Sequence, residues 1–581
     1  MALGLVRQTI SSIIGRSIRR HCRAFDEATK QPRASQDQVL ERIVKGHLDT
    51  GFGHDHGFGS IRNARDFRRL VPVAPYEYLE PYINRVASGD YGALLKDRSV
   101  HMFAVTSGTT AARKLIPVTS SYVEDYKRGW NVWGLKAYAD HPECALRPIV
   151  QLAGNWQEFH TAGGIPCGSV SGLTAAVQKR IVRFLYCVPA SVSCIKDPVA
   201  KNYLVLRLSL PRDVGTIVTA NPSTLINLAR AGDQDKEHLL RDLYDGTLSR
   251  HVEIPETIRQ SLAKMIRKRH RRRAAELEQI VRRTGHLYPG DYWNQGCIVG
   301  TWTGGSMSLY LRMFPRYFGD AYIRDIGLLA SEGRMTIPVD DCTPSGVLDI
   351  TSHYFEFMPE SEAVSKHPLT VSAEEVEEGR NYFILPTTAY GLYRYHICDL
   401  VRVTGFYNRT PLVEFLNKGA YFANLTGEKL SEHHVTGAMR DVLAALNQTL
   451  TTYGVAPCWN EDLPYYGLFI ERGELSSPQH GLRLATALDR RLRQLNVEYD
   501  CKRASSRLGP IRLNIVANGA WHQWDVQRLK RSGGAWEQYK HPFLLPDPSF
   551  ANSIVVEDEL TPSQMVQETQ DSASELALGE R

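Results

Sequence analysis

From Arg147 onward, short β-like apolar runs closed by glycine or proline alternate with stretches of helical periodicity, and nothing else in the chain constrains its fold as much. Pro148–Leu152 reads as a strand and Gly163–Gly164 as a turn, and residues 201–219 repeat that strand-like character. Residues 222–247 return to helix, with Leu225, Leu228, Leu239 and Leu243 at helical spacing. Ahead of this, residues 1–50 are dominated by helical periodicity, and residues 71–105 mix proline-marked turns with short apolar runs. Strand and helix mixed in this way over roughly 400 residues predict α/β layering, with β-sheets flanked by helices. Near residue 405 the pattern changes. A strand at 412–416, a helix at 429–446 with Val435, Met439, Val442 and Leu446 inward, a strand Tyr465–Glu471, a helix Leu482–Leu495 and a strand Ile511–Ala517 predict a small α+β domain. The expected organisation is a large domain over 1–405, a small mobile domain over 406–548 and an acidic tail over 549–581. That tail, with Glu557, Asp558, Glu559, Glu568, Asp571 and Glu575, is expected to be disordered.

The 581 residues are 43% hydrophobic and 23% charged, a composition that builds ordinary globular cores. A net charge of +6 does not by itself call for a polyanionic partner. No apolar run approaches the roughly 20 residues that span a bilayer. The ten cysteines are scattered without a Cys-x-x-Cys pair, which suits a reduced cytoplasm better than a disulfide framework or structural zinc. The first 25 residues carry Arg7, Arg16, Arg19, Arg20 and Arg23 and are read as an amphipathic helix packing Leu5, Ile10, Ile13 and Ile14 inward. Glu256–Arg283 is predicted as one helix with Ile258, Leu262, Met265, Ile266, Leu277, Ile280 and Val281 on one side. Its other face carries Lys264, Arg267, Lys268, Arg269, Arg271, Arg272 and Arg273. No aromatic residue interleaves these cations, so a solvated face is expected and a nucleic-acid partner is not.

Chemistry concentrates in four segments. Residues 105–117 set Thr106, Ser107, Thr109 and Thr110 around Gly108 and follow them with Arg113 and Lys114. Hydroxyl and backbone donors with a nearby cation suit phosphate oxygens, although on composition the stretch reads equally as a polar turn. The spacing is not that of a Walker loop. Residues 304–310 are Gly-Gly-Ser-Met-Ser-Leu-Tyr, and residues 328–334 contain Ser331-Glu332-Gly333. Glu332 suits Mg²⁺ with few protein ligands, or equally a helix N-terminal acid. Residues 390–406 end an aromatic strand on Asp399, which is placed either to accept the two hydroxyls of a ribose or to sit in a turn or surface ion pair. His54 and His56 are read as part of a structural turn rather than a metal site, and the adjacent His433 and His434 point apart on a helix.

In this order, the segments resemble the adenylate-forming superfamily, and within it the auxin-responsive promoter (Gretchen Hagen type) family of acyl acid–amido synthetases. The first loop is similar to that family's phosphate loop, Ala330-Ser331-Glu332-Gly333 to its second motif, and Tyr393-Arg394-Tyr395-x-x-x-Asp399 to its third. Phe67-Arg68-x-x-Val71-Pro72-Val73 with Tyr76, Gly305-Ser306-Met307 with Tyr310, Phe415-Leu-x-Lys418-Gly419, Gly427-Glu428-Lys429 and Gln538-Tyr539-Lys540-x-Pro542 also match, so the resemblance covers roughly residues 40–545. It implies a large adenylating domain, a small mobile C-terminal domain, and a ligase that uses ATP and Mg²⁺ to activate a small carboxylic acid as its acyl-adenylate. The acyl group then passes to an amine, for which an amino acid is the expected partner. By the same resemblance, Thr106, Ser107, Thr109 and Thr110 hold phosphate, and Gly108, Ser331 and Lys429 belong with them to the nucleotide-binding set. Lys114 adds charge, Glu332 holds the metal, Asp399 holds the ribose, and Lys540 reaches the α-phosphate during adenylation. A cytoplasmic monomer is expected. The alternatives are an adenylating acyl-CoA ligase and a catalytically degenerate binding or scaffold member. Three positions depart from the pattern: Ala111-Ala112 in the first loop, Leu328 where plant members often place tyrosine, and Cys398 where glycine is common.

Overall fold

The computed structural model describes residues 19–561 apart from 98, 107–113, 178–182, 294, 364, 366, 419–421, 424, 427, 429, 460–462, 505–507, 533–538 and 548. Two compact units divide the chain. One runs to Phe415 and takes in Ser532–Tyr539; the other comprises Leu416–Arg531 and the chain from Lys540. The division falls inside the strand Thr410–Lys418.

The first unit is α/β. Its short apolar runs form a parallel sheet in the order Ile149–Gln151, Thr216–Val218, Ile298–Thr301 and Tyr322–Asp325. Ile298–Thr301 is buried throughout, as a parallel strand covered on both faces must be. The helix Ser120–Asp140 starts where Thr119 accepts the Tyr122 N–H, and its Trp133 indole donates to the Asp325 carbonyl at 2.7 Å. A second sheet joins Lys114–Thr119, Val100–Thr106, Pro166–Gly168 and Phe159–His160. A third has seven strands, in the order Thr336–Ile337, Gly346–Leu348, Thr410–Lys418, Asp399–Tyr407, Asn381–Thr387, Tyr354–Pro359 and Val371–Ser372. One core gathers Phe52, Phe67, Phe103, Phe355 and Tyr393, and another gathers Leu204, Leu228, Leu277 and Val299.

The second unit is α+β. Its main sheet runs Tyr453–Trp459, Pro464–Glu471, Arg512–Val516 and Val556–Leu560, with the helices Glu432–Ala445 and Pro478–Leu495 beside it in sequence. Ser431 and His434 form a reciprocal capping box at the first of these helices, and Ser477 caps the second.

Four expectations are corrected. Residues 201–209 belong to the helix Pro198–Ser209, not to a strand; most of its side chains, Lys201 and Arg207 included, are buried, so burial runs round the helix and leaves no amphipathic period to read. The segment expected as one helix over Glu256–Arg283 is three: Glu256–Ser261, Ala263–Ile266 and Arg271–Thr284. The break at 267–270 falls within the run of cations, where like charges crowd one another, and His270 donates its N–H to the Leu243 carbonyl instead of to a helical partner. Met265 and Leu446, both expected inward, are exposed. The acidic tail is not disordered from 549: Val556–Leu560 pairs antiparallel with Arg512–Val516, and its acids meet Arg472 and Arg512. The rest of the tail from 562, and the amphipathic segment with Leu5, Ile10, Ile13 and Ile14, lie outside the described residues.

Candidate active site

Val100–Thr106 and Lys114–Thr119 form an antiparallel hairpin in which Thr106 pairs with Lys114, and residues 107–113 are its connection. Ser107, Gly108, Thr109, Thr110, Ala111 and Ala112 lie outside the described residues, as does Lys429. Lys114 is described: its Nζ lies 5.2 Å from the centre of the Tyr76 ring and 3.7 Å from Glu77 Oε1. Tyr76, the first residue of the helix Tyr76–Ala87, fixes this strand with its hydroxyl. That hydroxyl accepts the Leu115 N–H at 2.9 Å and donates to the Leu115 carbonyl at 3.3 Å.

Ser331 and Glu332 form the two-residue turn between Leu329–Ala330 and Gly333–Arg334. The turn requires glycine at 333 twice over, because φ is +135° there and a Cβ would stand 2.3 Å from the Tyr390 hydroxyl. That hydroxyl donates to the Glu332 carbonyl at 2.9 Å and lies 3.2 Å from His353 Nε2. Arg334, almost fully buried, anchors the far side: its guanidinium stacks 4.5 Å from the Trp130 ring centre and donates to the Ile326 carbonyl at 2.8 Å. Burial pulls its pKa down to about 10.

Glu332 is itself buried, and Tyr395 reaches it with a long hydroxyl contact of 3.5 Å to Oε1. Burial first, then the Glu332 charge, pushes Tyr395 far above the ordinary tyrosine range, with a smaller contribution from Asp399. Burial also raises Tyr76, to about 12, and Glu332 is among the carboxylates adding to that rise. The charges of Glu332 and Asp399 thus converge on Tyr395, and Glu332 also acts on the tyrosine beneath Lys114. Three of the segments singled out in the sequence are brought together in this way.

Asp399 stands at the start of the strand Asp399–Tyr407, not at the end of an aromatic one. Residues 388–398 are a loop tied back onto the preceding strand, where Arg394 N–H donates to Thr387 Oγ1 and Tyr395 N–H to the Pro386 carbonyl. Loop residues of this sort copy strand composition because their aromatic side chains are buried. Within it, Arg394 is structural. It pairs with the buried Glu356 at 2.7 Å and donates to the Val71 carbonyl at 2.7 Å, and Arg68 meets the same carboxylate at 3.0 Å. Cys398 adopts φ +64°, a left-handed conformation that explains why glycine is common at this position.

Gly305–Met307 and Ser308–Leu311 follow the parallel strand Ile298–Thr301. There Asp325 ties neighbouring strand ends by accepting from the Thr303 N–H and hydroxyl at 2.6 and 2.7 Å; burial raises its pKa to about 6. Lys540 belongs to the second unit and is exposed. The next residue, His541, is buried, with Nδ1 2.9 Å from Asp525, and the Phe543 N–H donates to Glu432 at 2.6 Å. His56 is held by the Phe52 carbonyl and the Tyr78 hydroxyl, as a structural turn requires. Among the described residues, no three His, Cys, Asp or Glu side chains are grouped to hold a metal, and no helix is long and apolar enough to cross a membrane.

Tyr390 and Tyr395 lie in the segment 390–406 and Tyr76 in the pattern that opens at Phe67, but the sequence assigns none of these tyrosines a role of its own. His353 lies in none of the segments that the sequence singles out.

The buried glutamate turn and the aspartate-headed strand lie in the first unit, and an α+β unit completes the chain. The chain matches the GH3 family N-terminal domain over residues 21–323, the central domain over 346–418 and the C-terminal domain over 433–549, and it belongs to the GH3 family. It is 24% identical over 542 residues to the jasmonoyl–L-amino acid synthetase JAR6 of Nicotiana attenuata, covering 89% of this chain and 92% of that protein. It is also 24% identical over 576 residues to the indole-3-acetic acid-amido synthetase GH3.3 of Arabidopsis thaliana, covering 93% and 94%. Its fold is that of the AtGH3.15 acyl acid amido synthetase solved in complex with 2,4-DB, with a TM-score of 0.82 at 19% identity over 94% of this chain and 97% of that one.

Proposed function

We propose that this chain is an ATP-dependent acyl acid–amido synthetase. A substrate carboxylate oxygen attacks the α-phosphorus of ATP, and pyrophosphate leaves. An amine nitrogen, that of an amino acid, then attacks the acyl carbonyl, giving up one proton as AMP departs. The observation that carries this reading is the buried Glu332 turn against Tyr395, beside Asp399, in a chain that matches all three family domains. In the first step charge spreads over phosphate oxygens, so catalysis asks chiefly for preorganised donors and cations. Thr106, Ser107, Thr109 and Thr110 are assigned to the phosphates, Gly108, Ser331 and Lys429 to the nucleotide site around them, Lys114 and Lys540 to the phosphate charge, and Asp399 to the ribose. A single buried carboxylate suits Mg²⁺, which keeps most of its waters and arrives with the nucleotide. Glu332 would hold it, and the ion would supply positive charge against the phosphate oxygens. The compartment assigned is the cytoplasm.

Acid-dependent release of pyrophosphate from ATP, followed by product mass with amino acids and with coenzyme A, tests the reading. An amide is expected. A thioester alone would make the chain an acyl-CoA ligase, and no acid-dependent release with any member of an acid library would remove the synthetase reading.

A further inference from the structure

We infer that the first unit holds a second small-molecule site, a cavity of about 570 Å³ at the carboxyl end of the strand Ile149–Gln151, built for an N-acyl amino acid. The choice of ligand rests on the proposed reaction, whose amide product has this chemistry.

None of the described residues assigned to the reaction lines the cavity. Ile149–Gln151 is the outermost strand of the parallel sheet, bridged on its far side by Tyr186, and the opposite edge, Tyr322–Asp325, leads to the Glu332 turn. Three strand spacings, roughly 14 Å, separate these two edge strands. Crevices beyond the carboxyl ends of parallel strands are where such sheets take ligands. The size falls within the roughly 300–1,000 Å³ of small-molecule sites.

The lining states the chemistry. Leu152, Phe184, Val192 and Val205 give apolar walls, and Ala153, Ala175 and Ala176 leave room between them. Lys201, Arg183 and Arg212 add three cations, and among the described residues that line the cavity there is no Asp or Glu, so it favours an anion. Lys201 is 8% exposed, with Nζ donating to the Ala153 carbonyl at 3.0 Å, so an ammonium is held inside the protein at the cavity wall. Gln151 also lines the cavity, and its buried Oε1 accepts no hydrogen bond; a side-chain rotation offers it to a ligand N–H. A free carboxylic acid supplies the anion and the apolar body but no N–H. A free amino acid lacks the body. The conjugate carries all three: a carboxylate for the cations, an amide N–H for Gln151 and an acyl group for the walls. A carboxylate held here meets none of the described residues assigned to adenylation, as a retained product would.

Titration calorimetry of the full-length protein without ATP, using N-benzoylleucine, benzoate and leucine as probes, tests this. N-Benzoylleucine should bind the wild type and Glu332→Gln alike, with benzoate and leucine at least about 10-fold weaker. Lys201→Met and the cavity-filling Ala176→Phe should each weaken the conjugate by about 10-fold or more while keeping the wild-type rate of acid-dependent pyrophosphate release. Should Lys201→Met not fold, Ala176→Phe decides. No binding of the conjugate to the wild type, or binding that neither variant changes, overturns the site. Benzoate binding as tightly as its conjugate overturns the choice of ligand. Because binding is read without turnover, a chain inactive in pyrophosphate release but still binding the conjugate sinks the proposed reaction and leaves the cavity standing.

Discussion

Cys398 sits one residue before Asp399 with φ +64°, where its Cβ crowds the backbone as a glycine would not. Relief of that crowding amounts to about 1 kcal/mol, and the added freedom of a glycine in the unfolded chain offsets part of it. Cys398→Gly is therefore expected to leave stability unchanged or raise it by up to about 1 kcal/mol in urea denaturation; a clear loss would mean that the thiol, 3.7 Å from the His396 carbonyl, stabilises the loop more than its conformation strains it. The sequence alone flagged this cysteine as a departure, and the dihedral supplies the reason.

His353, behind the Glu332 turn, is a second residue with a measurable signature. Burial pulls its pKa down to about 4, so it is neutral in the folded protein. Between pH 4 and its ordinary value of 6.5, the unfolded chain binds a proton that the folded chain does not, and stability rises with pH across that window. The contribution is complete above about 6.5 and lost as pH falls towards 4. Asp125 acts in the opposite sense: burial raises its pKa to about 6, and its contribution, present below the ordinary carboxylate value, is lost as pH rises through 6. A variant isolates the histidine from this background. The stability gap between wild type and His353→Gln should narrow by roughly 2 kcal/mol from pH 7.5 to pH 5. A gap independent of pH would show that His353 does not titrate as its burial demands.

At the scale of elements, legibility followed pattern and length. The helix Pro478–Leu495 lies within a few residues of where its periodicity put it, because it has one buried face and one wet one. The strands Pro464–Glu471 and Arg512–Val516 are buried almost throughout, and they were readable as short apolar runs of strand length. Pro198–Ser209 has no wet face, and its apolar run imitates a strand. The motif segments were readable because each is local; Tyr76 and His353 come from elsewhere in the chain, where no spacing records their approach to the Glu332 turn. The strand Val556–Leu560 was lost to its own charge: Glu557, Asp558 and Glu559 are exposed on a sheet edge and look like a solvated tail. If pairing with Arg512–Val516 is what holds it, deletion from residue 554 should destabilise the second unit by roughly 2–3 kcal/mol, several ladder hydrogen bonds at about 1 kcal/mol each. Reversing Glu557 and Asp558 to lysine should cost under about 1 kcal/mol, since their pairs with Arg472 are exposed. Thermal unfolding followed at Trp521, in the core of that unit, reads both; a deletion without effect would show that the strand contributes nothing to the sheet.

Across the whole molecule, the residues assigned to the reaction are divided between two units. Lys114, Glu332 and Asp399 belong to the first, and Lys540 to the second. The first unit alone thus carries the groups assigned to metal and ribose, and the second contributes a cation exposed beside a buried histidine strap. A cation aimed at the α-phosphate matters while negative charge is being redistributed there, in adenylation; the attack of an amine on a finished acyl-adenylate makes no such demand. Lys540→Ala should therefore lower acid-dependent pyrophosphate release by about 100-fold or more, while aminolysis of a chemically prepared acyl-adenylate stays within about 3-fold of wild type. The same assay on Asp399→Asn should depress both half-reactions, because ribose is held throughout. An equal fall in both halves for Lys540→Ala would instead make Lys540 a general nucleotide-binding residue, and no fall in either would remove the second unit from the chemistry altogether.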